Sequence, residues 1–468
     1  MPRSARQRFG YLFGTFLMFT LLTAGSGWAE EPAAMSDAAT PAAIVSPPLA
    51  NGSFSLPQLL DFALAHNPEI AATAFEGQAA AARTRGAKGA HLPHLSVEGG
   101  YTRYNDDLRL TAARYNGEPG VFGDNILTAD LVLRLPLYAG GRLVAEMRAA
   151  ELLEASAGQR LARSRSDLVY NVSSLYFSQL AQKQLVESLV FSAESLAGQL
   201  KRVSALIAER KAAKVDALRT EVKLADLRQR LLREKNAHVV QRQALLNLMG
   251  AAGAGEDFTL AGTLTQPTAE SRPLEELLAA ALVQRPDVCA VRTEFEAQTA
   301  RVEAARAGYL PTVNLVGALG NRAMANPTQH PAGLETNDDV ARVGIIIEMP
   351  LFDGGRTGTR VEEENAKLAA QRERLRRLEL QIRLEIETGH ANLTSALERL
   401  TSTDTAIALA QESLRIEEEK YALARGTAQE VLDAQSALLE ARTNQIRALA
   451  DANAAAAQLA LATGENIL

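Results

Sequence analysis

The chain has 468 residues, of which 47% are hydrophobic but only 5% aromatic, with a single cysteine, Cys289. One cysteine excludes a disulfide framework and a cysteine-based zinc cluster. Lys and Arg number 49 against 55 Asp and Glu, a net charge of -6, which leaves no general nucleic-acid footprint.

The chain opens on an address. Arg3, Arg6 and Arg8 precede an apolar stretch from Phe9 to Ala24, followed by Gly27-Trp28-Ala29. That order is a secretory signal peptide over residues 1–29, with cleavage expected after Ala29 and an uncleaved anchor as the alternative. The residue after Ala29 is Glu30 and not a cysteine that could carry a lipid, so the mature protein is expected not to be lipid-anchored. Residues 30–52 are Ala/Pro-rich and are expected to be a flexible lead-in. No later run reaches about 18 apolar residues, so any membrane contact is expected to use strands.

The remainder is one pattern written twice. Leu56 to Ile70 and Leu274 to Val288 share six of fifteen residues at an offset of 218, including Pro68 with Pro286. The offset becomes 214 at Leu135-Pro-Leu-Tyr-Ala-Gly-Gly-Arg142 against Met349-Pro-Leu-Phe-Asp-Gly-Gly-Arg356. Met249-Gly250 and Thr463-Gly464 close the two copies at that same spacing. Several matches in one order mark an internal duplication: a first repeat over 53–250, a linker over 251–273 and a second repeat over 274–464.

Each repeat is expected to hold a short helix, a β-hairpin (95–135 and 312–349) and a long helical hairpin (143–249 and 357–462). From Leu168 to Ile207, through Gln179 and Gln182, twelve positions recur in alternating steps of four and three, and ten are apolar. This is a seam of about 3.5 residues for helices packed side by side. A helix from Leu143 to Glu209 would run about 100 Å, with a counterpart from Thr357 to Ala424. Before each, the period changes to two. Leu131, Leu133 and Leu135 alternate with Asp130, Val132 and Arg134, and Val343, Ile345 and Ile347 alternate with Arg342, Gly344, Ile346 and Glu348. Earlier partners are Leu95, Val97, Gly99 and Tyr101, then Val313, Leu315, Gly317 and Leu319. Strands of about 9–10 residues with one apolar face have the length and dyad pattern of membrane strands. Residues 104–125 and 321–339 are expected to be exposed loops. Four strands cannot close a barrel, and an open edge in lipid is costly, so the chain is expected to oligomerise.

These residues together resemble the TolC-like outer-membrane channel proteins of bacterial efflux and type I secretion systems, from Leu56 to Gly464. The two Gly-Gly-Arg elbows, the strand pairs before them and Tyr421-Ala-Leu-Ala-Arg-Gly-Thr-Ala-Gln-Glu-Val-Leu-Asp-Ala434 carry the resemblance. It implies an α+β, mostly α, fold in which each chain gives four strands to a trimeric, twelve-stranded outer-membrane β-barrel. The barrel would continue into a periplasmic α-helical coiled-coil tube. The implied partners are two further copies, outer-membrane lipid, a periplasmic adaptor (membrane fusion) protein, and an inner-membrane pump or ABC exporter.

The elbows Pro136, Gly140, Gly141 and Pro350, Gly354, Gly355 follow strands and open helices, as phosphate loops do. The Walker lysine is missing, however, and the elbow occurs twice. They are expected to be structural bends using glycine's positive φ. No nucleophile, metal or cofactor constellation stands out, and no enzyme is expected. His91 and His94 are separated by Pro93, and Cys289 is expected to be buried packing. By resemblance, Arg210, Lys211, Ala212, Ala213 and Gly426, Thr427 form adaptor-docking tips. Glu430 and Asp433, three residues apart on one helix face, would form stacked acidic rings at the constriction. Tyr421, Arg425 and Asp216 are implied to latch the mouth. The tips depart from the family pattern at Lys211, Ala424 and Arg425, which bears on the latch rather than on the acidic positions. The rival of another class is a periplasmic coiled-coil scaffold or adaptor without a pore, which leaves the duplicated strands unexplained.

Overall fold

The computed structural model describes residues 52–113, 115–251, 258–267, 272–423 and 425–465. The expected leader and all but the last residue of the lead-in lie outside the described residues, as does Ala424. A small parallel pair, β1 (Gly52–Phe54) with β4 (Phe258–Leu260), ties the start of the first repeat to the linker. The first repeat runs α1 (Leu56–His66), α2 (Pro68–Gly89), β2 (His94–Arg109), β3 (Phe122–Ala139), α3 (Arg142–Ala208) and α4 (Lys214–Leu248). The second runs α5 (Leu274–Gln284), α6 (Pro286–Arg306), β5 (Thr312–Met324), β6 (Asn337–Glu348), α7 (Arg356–Ala422) and α8 (Ala428–Thr463).

α3 and α7 have 67 residues each, about 100 Å at 1.5 Å per residue. Each starts directly after a pair of glycines. Gly140 and Gly141 have φ of 64° and 85°, and Gly354 and Gly355 have 69° and 83°, a left-handed region that side chains resist. Along α3 the expected seam packs inward, and each of its twelve positions is buried or half-buried. Leu185, Leu189 and Leu196 meet Leu224 and Leu227 of α4 and Leu432 of α8. The two polar members are also paired. Gln179 Nε2 lies 3.1 Å from His238 Nδ1, and Gln182 Nε2 donates to the Glu234 carboxylate at 2.8 Å. α3 packs against α4 and α8, and α8 against α7. The long helices thus stand in the order α4-α3-α8-α7, with α4 and α7 at the two edges.

The four long strands form one antiparallel sheet in the order β2-β3-β5-β6. They are longer than expected, with 16, 18, 13 and 12 residues, and they claim parts of 104–125 and 321–339 that looked like loop. Asp124, Asn125, Asp338 and Asp339 read as polar connection, but a backbone ladder does not require apolar side chains once the strands leave lipid. Arg103 Nε pairs with Asp124 at 3.0 Å at that end. Cys289 also differs from expectation. It is half-buried, on the part of α6 that turns a side toward solvent.

Candidate functional site

The register sorts the sheet into two faces, because directly opposed residues point the same way. Leu95 pairs with Leu133, Val97 with Leu131 and Tyr101 with Leu127. Leu131 pairs with Leu319 and Leu135 with Leu315, and Leu315 with Ile345 and Val313 with Ile347. This face is apolar across all four strands and uncovered, with Val97, Val343 and Ile347 69%, 78% and 69% exposed. The other face carries Glu98, Asp130, Arg134, Arg322 and Arg342, and Arg134 donates to Glu98 at 2.7 Å. One face therefore suits lipid and the other water. Among the described residues, the outer edges of β2 and β6 have no partner strand.

The elbows hand the sheet over to the helices. At the first, a Cβ on Gly140 would lie 2.8 Å from the Ala307 carbonyl oxygen and 2.8 Å from Leu310 Cβ, so glycine is demanded by space as well as by φ. At the second, Asp353 accepts from the amides of Gly355 at 2.9 Å and Thr357 at 2.8 Å. The Thr357 hydroxyl and amide hold the Asp353 carboxyl below its ordinary range. Pro136 lies beside a bulge in β3, and Pro350 just follows β6.

At the far end the helical hairpins turn through two related tips. The Lys211 amide donates to the Leu206 carbonyl and the Arg425 amide to the Lys420 carbonyl, each at 2.8 Å. Arg210 takes the left-handed position, φ 61°, without being glycine. Ala212 and Ala213 lead into α4, and Gly426 and Thr427 into α8. Thr427 and Glu430 cap α8 reciprocally: the Thr427 amide donates to Glu430 at 2.7 Å, and the Glu430 amide to the Thr427 hydroxyl at 3.3 Å. The Thr427 amide, then its hydroxyl, hold the Glu430 carboxyl below the usual range. Asp216 is the duplicate of Glu430 at the 214 offset, but Ala213 offers it no cap. Glu430 and Asp433 are both exposed and turn away from the buried Val431 and Leu432. Asp433 accepts from Gln429 at 2.8 Å.

The latch expected among Tyr421, Arg425 and Asp216 is not made within one chain. The Tyr421 hydroxyl is buried without a hydrogen-bond partner, and burial, then the charge of Asp216, push its phenol up. Among the described residues, the Arg425 guanidinium meets no acceptor. Among the described residues no hydrogen bond or ion pair links the three groups.

A surface that the sequence reading passed over lies on α4. Val215, Leu218, Val222, Leu232 and Val239 are exposed and alternate in threes and fours through Ala225, Gln229 and Asn236. It is a second coiled-coil seam, and none of the described residues covers it.

A model of the family described as "Outer membrane efflux protein" matches residues 59–251 and 277–465, one segment in each repeat. The chain belongs to the outer membrane efflux protein family. Protein CyaE of Bordetella pertussis is 25% identical over 449 residues, covering 94% of this chain and 91% of that one. Cobalt-zinc-cadmium resistance protein CzcC of Cupriavidus metallidurans is 26% identical over 323 residues, 69% and 73% of the two chains. Outer membrane protein TolC of Escherichia coli is 22% identical over 410 residues, 83% and 78%. Among solved structures, CusC superposes with a TM-score of 0.75 at 17% identity, over 89% of this chain and 93% of that one. VceC of Vibrio cholerae superposes at 0.72 with 20% identity, over 88% and 97%. These likenesses show the fold: a four-stranded share of a barrel continuous with long paired helices.

No helix among the described residues of this efflux protein is long and apolar enough to cross a membrane, and its broad exposed apolar surface is the sheet face. Its repeats are pinned by polar residues that periodicity did not single out. Arg285, 1% exposed, donates to Asp287 at 2.7 Å, to Glu385 at 2.7 Å and to the Ala462 carbonyl at 3.0 Å. Its duplicate Asn67 donates to the Leu248 carbonyl at 2.7 Å, and Leu248 is the duplicate of Ala462. The available signal was a polar residue standing just before Pro68 and Pro286 in both copies.

Proposed function

We propose that three copies of this efflux protein close a twelve-stranded barrel in the outer membrane, and that their long helices continue it as a tube through the periplasm. The observation that carries this reading is the sheet: apolar and uncovered on one face, charged on the other, and open at both edges. Unsatisfied strand edges in lipid cost several kcal/mol per group, and barrels close with about eight strands or more. Three four-stranded sheets are enough, and the bare seam on α4 provides a helical contact of matching kind. Barrel and tube together form a passive exit duct for a tripartite efflux or type I secretion system. An inner-membrane pump or ABC exporter drives the cargo, a periplasmic adaptor docks at the tips Arg210–Ala213 and Gly426–Thr427, and the chain itself needs no cofactor, lipid anchor or catalytic group.

At the mouth, threefold repetition turns Glu430 and Asp433 into two stacked rings of carboxylates, a field that admits cations and repels anions. Among the described residues neither acid is tied up in an ion pair, and both stand on the exposed face of α8. The latch forms between copies: among the described residues Arg425 and the Tyr421 hydroxyl lack partners, and the Asp216 charge acts on Tyr421. One exposed pair contributes about 0.2–1 kcal/mol, so the closed state depends on all three copies acting together.

Membrane fractionation followed by native mass measurement tests the assembly. Outer-membrane protein with the mass of three mature chains is expected. A soluble periplasmic monomer or dimer would return the chain to a scaffold role.

A further inference from the structure

The internal duplication specifies how one copy meets the next. Within each repeat the hairpin register is the same: His94 pairs with Arg134 as Thr312 pairs with Glu348, and Leu95 with Leu133 as Val313 with Ile347. Each pair is carried onto the other by the offsets 218 and 214 that relate the repeats in sequence. One junction, however, is present only once. β3 of the first repeat pairs with β5 of the second, while its counterpart, β6 against a copy of β2, is not made among the described residues.

The unpaired side shows the consequences. β3 runs on to Ala139 because β5 accompanies it, whereas β6 stops at Glu348, the duplicate of Arg134. The segment after it, Met349 to Asp353, is left without a ladder, and Leu351 and Phe352 are each 91% exposed. Their duplicates Leu137 and Tyr138 lie in β3 and are better covered. The glycines tell the same story. Gly140 is crowded by Ala307 and Leu310, but around Gly354 a Cβ would meet nothing within 4 Å. The residues equivalent to Ala307 and Leu310 are Gly89 and Leu92, at the far edge of the sheet, where Leu92 is exposed.

We infer that β6 pairs with β2 of a second copy in the register that β3 and β5 already display. Ile345 then lies opposite the partner's Tyr101, Ile347 opposite the partner's Gly99 and Met349 opposite the partner's Val97. A bulge beside Pro350 follows, as beside Pro136, and Phe352 comes opposite the partner's Leu95. Gly354 seats against the partner's Gly89 and Leu92. The second elbow is therefore complete only in the assembly. The apolar face continues across the junction from Ile345 to Phe352 and ends at Val343, which the same register sets opposite the partner's Arg103. The register also sets Glu348 opposite the partner's Glu98, a like-charge opposition that weakens a ladder.

This inference rests on the closed-barrel reading, and the test separates the two. In a Cys289→Ala background, Ile345→Cys is combined with Tyr101→Cys, and separately with Val97→Cys four residues off register. Opposed positions lie within disulfide reach, whereas positions two or more residues away exceed about 7 Å. Oxidation in outer membranes is expected to convert most of the in-register variant to covalently linked oligomer, with about tenfold less for the off-register pair. Native mass is measured on both before oxidation. Trimers that link through Val97, or through neither pair, would overturn the register and leave the barrel standing. Absence of any oligomer would overturn both. In an otherwise unaltered chain, Glu348→Gln is expected to raise the melting temperature of the oligomer, and a fall would contradict the register.

Discussion

Nη1 of Arg285 lies 2.7 Å from a carboxylate oxygen of Glu385, joining the first turn of α6 to the upper part of α7. The same nitrogen reaches the Ala462 carbonyl at the end of α8, so one buried cation holds three helices. Arg285→Ala leaves Asp287 and Glu385 without it, and removing one partner of a buried pair costs about 3–5 kcal/mol. The duplicate change Asn67→Ala removes a cap and one carbonyl bond, about 1–2 kcal/mol. Thermal denaturation in detergent should rank Arg285→Ala well below Asn67→Ala. Equal losses would show that Arg285 contributes no more than a cap.

The same cluster gives a pH dependence of definite sign. Burial alone would raise the Asp287 carboxyl, but the Arg285 guanidinium and then the Arg163 charge more than offset it and hold the carboxyl below its ordinary range. A carboxyl with a depressed folded pKa stabilises above its unfolded value and loses that contribution as pH falls through the folded one. The melting-temperature gap between the parent protein and Asp287→Asn should be full at neutral pH and shrink as the pH drops below the usual carboxylate range. A gap that widens in acid would contradict this assignment.

At the second elbow, Asp353 accepts from two amides at the start of α7. Asp353→Ala should cost about 1 kcal/mol, and Asp353→Asn much less, because asparagine also caps. Faster amide exchange at Gly355 and Thr357 in the alanine variant alone would report it. Equal exchange in both variants would point to charge rather than the cap.

Glu430 holds a cap and a charge at once, and the two are separable. Glutamine serves at the third position of a capping box, so Glu430→Gln with Asp433→Asn should keep α8 folded and abolish cation preference. Glu430→Ala should lose the cap as well, about 1 kcal/mol. Reversal potentials in asymmetric salt check the first effect and thermal melting the second. Unchanged selectivity in the double variant would move the constriction elsewhere.

Much of the architecture was legible because its periods are long and repeated. The 3.5-residue seam of α3, the dyad of β3 and β6 and the doubled Gly-Gly elbow each announce a backbone conformation directly. The strand ends were not legible, since Asp124, Asn125, Asp338 and Asp339 are polar whether a strand pairs there or a loop wanders. Arg285 was hidden for the opposite reason: an arginine is ordinarily exposed, and its burial depends on Glu385, one hundred positions away. At the mouth, i,i+3 spacing placed Glu430 and Asp433 on one helix face, but spacing could not reveal that Glu430 also bonds Thr427. The latch residues make no bond to one another among the described residues, and on the proposed reading the groups that answer Arg425 and Tyr421 belong to other copies.

Conductance of the purified mature protein in a planar lipid bilayer tests the central claim most directly. Small, discrete, cation-preferring steps are expected from trimers, with the preference lost in the Glu430→Gln, Asp433→Asn variant. Folded, inserted trimers in which neither the parent protein nor an Asp216→Ala, Arg425→Ala variant conducts would contradict a gated exit duct.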